Sequence, residues 1–513
     1  MMRTIIIDSL NTCDDYEYEL SLLSAVVSML FLVCLSCRAV KICVGAVFGG
    51  SSYSRINTKA STFLGLLVFG IEIPHIFRFC ATDNHHALAH LIQGTDDRLQ
   101  TILQLVPEIQ RGPRPLFFWT NRHLQFIPWL IQNEIHQRPG IPYQRIHLPV
   151  TDCHDKFSCQ GRCKSDLTVS PNCDSNHSQT MLDTITLDIF PTLSEDLGSF
   201  NANSPIILFS PGLTCHSQDL PGNMIVRRAY EMGFRSAIIN RRGHTPQQKL
   251  QSPRWNIFGD VDDLEQAYWF LKQQVAPHTA FFLHGISSGT AVVVSALSKW
   301  DYRRQHFPQE ATPAFVASVS VTPGYDTSKA LTRERFRFPY QDFLLERVKD
   351  HFVRSNEDVL RRHDNETVNH VLRATSMQDF VDLSAPFADY ANASMYYQDT
   401  NPINNLRAIT TPKLVLNSMD DPCCSIGNLF EPSPYPAHGG KAYADIISET
   451  QNTLVAVTWT GSHCPFLSWD DKTWLPLVRD YVGGGWMLNS WADRVSVEFY
   501  RAALEVYGDR RFL

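Results

Sequence analysis

The sequence predicts an α/β fold: a mostly parallel central sheet flanked by helices, a helical cap between the sixth and seventh strands, and an N-terminal membrane anchor. Three observations point to it. Short apolar runs ending in turn residues recur through the second half of the chain, the pattern of strands buried on both faces of a parallel sheet. Stretches with helical spacing of apolar positions separate them, which is the alternation that parallel sheets require. One run, Ala280 to His284, passes through Gly285-Ile286-Ser287-Ser288-Gly289 into the helical AVVVSALSKW. That places a G-x-S-x-G turn between a strand and a helix.

The N-terminal region comes first in the chain. Leu20 to Cys37 holds no charged residue, and as a helix it would cover roughly 27 Å, enough for a bilayer core. Asp14, Asp15, Glu17 and Glu19 precede it, where a cleaved signal would carry basic residues, so a retained anchor is expected over a signal peptide. A buried helix is the alternative. Arg38, Lys41, Arg55 and Lys59 follow, which orients the bulk of the chain to the cytoplasmic side. Three N-x-[ST] triplets, at Asn176, Asn365 and Asn392, would matter only in a lumenal domain and conflict with that topology. The apolar run Phe63 to Ile73 is too short to span.

Four regions are expected: an anchor region over 1–80, an extension of the catalytic domain over 81–203, the catalytic domain over 204–490 with its cap at about 328–400, and a C-terminal helix over 491–513. The extension includes a Cys-bearing polar segment. Its Cys153, Cys159, Cys163 and Cys173 lack clean metal-ligand spacing, which leaves a zinc site, disulfides or a plain thiol-bearing loop open. Thr184 to Phe190 alternates like a strand. The net charge of −7 argues against a nucleic-acid partner. No cofactor is expected.

The catalytic region then reads as ordered strand ends. Pro205 to Ser210 leads into Pro211-Gly212-Leu213-Thr214, where a backbone N–H of Leu213 or Thr214, together with that of Ser288, would face a developing oxyanion. Ser236 to Asn240 is a strand closed by Arg241-Arg242-Gly243-His244, and His244 reads as a turn residue because it precedes the serine. Asp260 to Lys272 is helical, and Phe315 to Val321 is the sixth strand. After Lys413 to Ser418 comes Met419-Asp420-Asp421-Pro422, and after Thr453 to Trp459 comes Thr460-Gly461-Ser462-His463. A serine, an acid and a histidine at three successive strand ends match the order Ser, Asp, His of a nucleophile, an orienting carboxylate and a general base. Ser287, Asp421 and His463 are the residues assigned, with Asp420 as the alternative acid.

With these residues placed, the chain resembles the α/β-hydrolase domain family, in the branch of membrane-anchored acyl hydrolases. That branch includes animal ABHD phospholipases and acylglycerol lipases, yeast ethanol acyltransferases and bacterial esterases. The resemblance runs over about Pro115 to Trp469 through Asn121 to Gln125, Pro211 to Thr214, Asn240 to Gly243, the serine turn, Met395 to Tyr397, Asn417 to Pro422 and Gly461 to Leu467. Phe126, Cys215 and Thr290 depart from the family's pattern. The resemblance implies a serine hydrolase of lipid acyl esters acting at a membrane. An acyltransferase with the same residues, or a tethered scaffold, are the alternatives.

Overall fold

A computed structural model describes residues 88–114, 140–150, 183–193, 200–244, 248–332, 340–433, 438–468, 477–482 and 486–511, with residues 122, 125, 129 and 435. All of them fall within one compact unit, Asn84–Leu513. The expected anchor at Leu20 to Cys37, the run Phe63 to Ile73 and the cysteines from Cys153 to Cys173 lie outside the described residues. Among the described residues no helix is long and apolar enough to cross a membrane.

Apolar runs with no polar face can only be satisfied between two layers of helix, and the sheet is built accordingly. Its strands in chain order are β1 (Leu88–Gln93), β2 (Gln144–Val150), β3 (Asp183–Phe190), β4 (Ile206–Ser210), β5 (Arg235–Asn240), β6 (Phe281–Ile286), β7 (Ala317–Val321), β8 (Lys413–Ser418) and β9 (Thr453–Thr458). They form one nine-stranded sheet in the spatial order β1-β9-β8-β7-β6-β4-β5-β3-β2. The strands from β4 to β9 pair in parallel, and every residue in each of them is buried. Antiparallel strands close both sides: β1 on β9, and β3 with β2 beyond β5.

The outermost strand β2 alternates in exposure and tolerates Pro149, as an edge strand can. The sequence pattern gives no strand before Thr184, yet β1 and β2 are both there. Neither is apolar enough to stand out, because each is covered on one side only. The extension before residue 204 thus contributes three strands to the catalytic sheet.

Helices pack on both faces. On one side lie α1 (Arg98–Leu105), α2 (Leu220–Glu231) and the C-terminal α9 (Trp491–Arg511), whose Val495, Phe499 and Tyr500 share a core with Phe209, Phe282 and Leu414. On the other lie α3 (Val261–Gln274) and α4 (Gly289–His306), packed on Leu208, Phe281 and Leu283. The C-terminal helix is therefore part of the core and braces β6 directly. The Tyr500 hydroxyl donates to Leu283 O at 3.1 Å and lies 2.9 Å from His284 Nδ1.

Between β7 and β8 the chain forms a mainly helical insertion, including α5 (Tyr340–Val348), α6 (Glu357–Arg373), α7 (Met377–Leu383) and α8 (Ala393–Thr400). It shares a core with the segment before α3, whose Trp255 stacks on Phe352 at 4.5 Å between ring centroids and on Phe380 at 5.7 Å. Ala291 on α4 belongs to the same cluster, so the insertion sits on the start of the helix that follows Ser287.

One core residue opposes the rest. Lys413 opens β8 fully buried, its side-chain nitrogen has no hydrogen-bond partner among the described residues, and burial pushes its pKa down to about 7. An unfolded lysine titrates near 10.4, so between about pH 7 and 10 the unfolded chain binds more protons and stability rises with pH. Below about pH 7 the full cost of burying a charge is present. Lys413→Met should therefore raise the melting temperature near pH 6 by clearly more than it does near pH 10. Equal gains at both would mean that Lys413 is not a buried ionisable cost.

Candidate active site

The site begins with a close approach of backbones. The turn after β6 puts Ser287 at φ 53°, a strained left-handed conformation for a residue with a side chain. It is held there by the Ser287 N–H donating to Val321 O at 2.9 Å. The turn closes because Gly285 and Gly289 lack side chains. A Cβ on Gly289 would lie 2.1 Å from Ser210 O and 2.6 Å from Pro211 O, and one on Gly285 would lie 2.9 Å from Gly289 O. The start of α4 is thus pressed against the end of β4. In the sheet order, β5 lies on one side of β4 and β6 on the other, so the crevice between the β4 and β6 loops is where an open α/β sheet takes its ligand.

The histidine arrives from β9. His463 Nε2 is 3.0 Å from Ser287 Oγ, and His463 Nδ1 is 2.9 Å from Asp421 Oδ2 and 3.1 Å from Oδ1. Three residues separated by up to 176 positions meet in one hydrogen-bonded line. The His463 loop is wound tightly, with positive φ at Ser462, Cys464 and Phe466. A Cβ on Gly461 would sit 2.4 Å from the Phe466 ring, which leaves glycine as the residue that fits. Asp421 is oriented in turn by the N–H groups of Cys423 and Cys424, which donate to its Oδ1 at 2.7 and 2.8 Å. Burial alone would lower the His463 pKa, but the Asp421 carboxylate, with Cys464 and Cys423 beside it, more than offsets this and the imidazole pKa is raised well above its ordinary value.

Asp420 has a different place. Its Oδ1 accepts the Ser462 N–H at 2.8 Å, so it braces the His463 loop from below, and burial raises its pKa to about 7. The two adjacent aspartates that the sequence left open are separated by geometry, with Asp421 on the imidazole. The motif residues ahead of the sheet dock on the same loop: Ser462 Oγ donates to Arg122 O at 2.7 Å, and Gln125 Oε1 accepts the Leu467 N–H at 3.2 Å. His244 is buried, with Nε2 3.4 Å from Asn256 O and its ring edge-on to Phe352.

Leu213 and Ser288 border the same small cavity, about 60 Å3, together with Ser287, His463, Phe258 and Leu344. Gly212 passes beside Ser287, since a Cβ there would be 3.3 Å from Ser287 Cβ. Two arginines that the motif reading left without a role fix this loop. The buried guanidinium of Arg241 reaches Pro211 O at 3.3 Å, Ser288 Oγ at 3.5 Å and Asn256 O at 3.0 Å. Burial lowers its pKa only to about 10, so it remains charged at neutral pH. Arg347, on α5 of the insertion, donates through Nε to Thr214 Oγ1 at 2.7 Å and through Nη2 to Thr214 O at 3.3 Å. Thr214 itself sits at φ 54°. For Arg241 the available signal was its place directly after the strand at Ser236 to Asn240. Nothing in the sequence distinguishes Arg347 from the other charges of its helix.

A serine on a strained strand-to-helix turn at the carboxyl edge of a mostly parallel sheet, hydrogen-bonded to histidine, is the arrangement of the α/β-hydrolase class. Comparison with known proteins agrees: the chain is similar to ABHD-type α/β-hydrolase domain proteins. It is 25% identical over 329 residues to an abhydrolase domain-containing protein of Dictyostelium discoideum, covering 63% of this chain and 71% of the relative. It is 24% identical over 326 residues to human phospholipase ABHD3, covering 63% and 69%. It is 24% identical over 319 residues to monoacylglycerol lipase ABHD2 of Danio rerio, covering 58% and 67%. No family model matches the chain.

The glycine contacts give a direct test of the turn. Gly289→Ala places a methyl group against two backbone carbonyls that cannot move without shifting β4. Chemical denaturation should show a loss of at least about 1–3 kcal/mol, the usual cost of overpacking. A variant as stable as the parent would contradict the described packing of α4 on β4.

Proposed function

We propose that this chain is a serine hydrolase of lipid acyl esters, working through Ser287, His463 and Asp421. That it is an ester hydrolase of the lipase type rests on its relatives, phospholipases and monoacylglycerol lipases among them. The observation that carries the finer reading is the unbroken hydrogen-bond line from Ser287 Oγ through His463 to Asp421. In this reading Ser287 Oγ attacks the ester carbonyl while His463 Nε2 takes its proton, and Asp421 stabilises the imidazolium. The N–H groups of Leu213 and Ser288 receive the negative charge that develops on the carbonyl oxygen. His463 then returns the proton to the leaving alcohol, and a water deprotonated by His463 in the same way attacks the acyl-enzyme, releasing the carboxylic acid as Ser287 Oγ regains its proton.

The insertion supports a long-chain substrate. Ile257, Phe258, Leu331, Leu344 and Met377 give the cavity an apolar lining, but about 60 Å3 is far below the roughly 300 Å3 or more of ligand pockets. An acyl chain enters only when the insertion lifts from the sheet, which makes it a cap. Of the apolar residues early in the insertion, Leu344 borders the cavity, Leu345 is buried in the core, and Phe343 is 45% exposed. Phe336 and Phe338 lie outside the described residues.

A fluorophosphonate probe should label the parent and fail on Ser287→Ala. Asp421→Asn should cut kcat by about three to four orders of magnitude, the effect of forcing the wrong imidazole tautomer, and Asp420→Asn by much less. Across p-nitrophenyl esters, kcat/KM should rise with chain length, by up to about 0.8 kcal/mol per methylene. A steady fall beyond butyrate would leave a short-chain esterase, and no labelling or turnover at all would leave a scaffold.

We also propose that Leu20 to Cys37 anchors the chain as a single span with the catalytic domain cytoplasmic, on the strength of its uncharged length and flanking charges. Deleting residues 1–38 should move the protein from carbonate-resistant membranes to the soluble fraction. Glycosidase-sensitive mobility of the full chain would reverse the orientation.

A further inference from the structure

Thirteen cysteines occur in the chain, and the four that fall among the described residues all lie on the loops that build the site. Cys215 follows Thr214, Cys423 and Cys424 follow Asp421, and Cys464 follows His463. Cys423 and Cys424 border the cavity beside Ser287 and His463. A serine–histidine–aspartate line has no use for thiols. Their side chains nevertheless complete a different set: a carboxylate oxygen of Asp421, Cys423 Sγ and a ring nitrogen of His463 lie within 4.8 Å of one another.

We propose that Asp421, Cys423 and His463 form a binding site for a thiophilic divalent cation of the zinc or cadmium kind, and that its occupation switches the hydrolase off. One oxygen, one nitrogen and one sulfur is a ligand set that zinc accepts, with a fourth position left for water. Zinc's bond lengths set tetrahedral ligand atoms about 3.3 to 3.7 Å apart. The Asp421–His463 pair, at 2.9 Å, must part by about half an ångström, and Cys423 must close in by up to about one.

The charges also balance. As the metal–sulfur bond forms, the Cys423 thiol proton leaves to solvent, and the two positive charges of the cation meet one carboxylate and one thiolate beside a neutral imidazole. The cation with its three protein ligands thus carries no net charge. The metal replaces the proton on His463 Nδ1, and the neutral imidazole then carries its proton on Nε2. That nitrogen can no longer accept the proton of Ser287, which is how the cation blocks turnover. Only this last consequence rests on the proposed serine mechanism; the binding does not.

The test is a titration of the metal-depleted full-length chain with Cd2+, followed by sulfur-to-cadmium charge-transfer absorbance, and repeated on Cys423→Ser. The site should take one equivalent, and the variant should lose more than about tenfold in affinity, the least that losing even an outer-shell partner tends to cost. Zn2+ should suppress fluorophosphonate labelling of Ser287 in the parent, reversibly with a chelator, and much less in the variant. Cadmium-113 NMR on the unaltered chain gives a readout that needs no variant: a resonance of a one-sulfur, nitrogen–oxygen site is expected. Unchanged affinity in Cys423→Ser, no binding, or only a many-sulfur resonance would overturn the proposal. Failure of the metal-free chain to label with the probe would count against the serine mechanism and leave the titration readable.

Discussion

The contact between Gly289 and the end of β4 is the constraint on which the site depends. With Ser210 O only 2.1 Å from where a Cβ would be, α4 begins against the neighbouring strand, and the chain between β6 and α4 has no room for a relaxed turn. Ser287 takes the strain, at φ 53°. A position of this kind persists only where its surroundings over-determine it. Here the Ser287 N–H is tied to Val321 O, Thr290 Oγ1 donates to Ser287 O at 2.5 Å, and Tyr500 holds β6 from the opposite face. The departure at Thr290 thus stabilises the turn with its own hydroxyl.

From that fixed serine outward, each partner is held by the backbone of another loop. Asp421 is aimed by two N–H groups, His463 by a loop wound through three positive-φ residues, and that loop by Asp420 beneath it. Preorganised donors and acceptors of this sort need little rearrangement when charge develops, which is why such sites tolerate little slack. The β4 loop is the exception in its support. Its Thr214 is clamped by Arg347 from the insertion, while Arg241, directly after β5, holds Pro211 and Ser288 together. The proposed oxyanion loop therefore has one anchor in the sheet and one in the cap. Lifting the cap to admit an acyl chain would release the second, so closure over substrate and completion of the loop are mechanically one event in the proposed mechanism.

How much of this was legible in the sequence follows from what each feature is made of. Strands β4 to β9 were readable because burial on both faces leaves an apolar run with no competing pattern. Their limits came within about two residues, the normal uncertainty of strand and helix ends. The serine turn was readable because the close approach demands glycine on both sides, and demand for glycine is written directly in the chain. The edge strands β1 and β2 were not, since a strand covered on one side is spelled like many loops, and its pairing with β9 or β3 is set by contacts hundreds of residues away or across an intervening segment.

By itself the sequence determined the local requirements: which runs must be buried, where glycine must stand, and the order of serine, acid and histidine along the chain. Only the tertiary structure decided between Asp420 and Asp421, because adjacent side chains on a turn point in different directions and composition cannot say which faces the imidazole. It likewise gave Arg241 and Arg347 their places on the β4 loop and gathered the four cysteines around one histidine. Spacing along a chain records what a residue's own backbone needs. Which distant side chains meet depends on the packing of whole strands and helices.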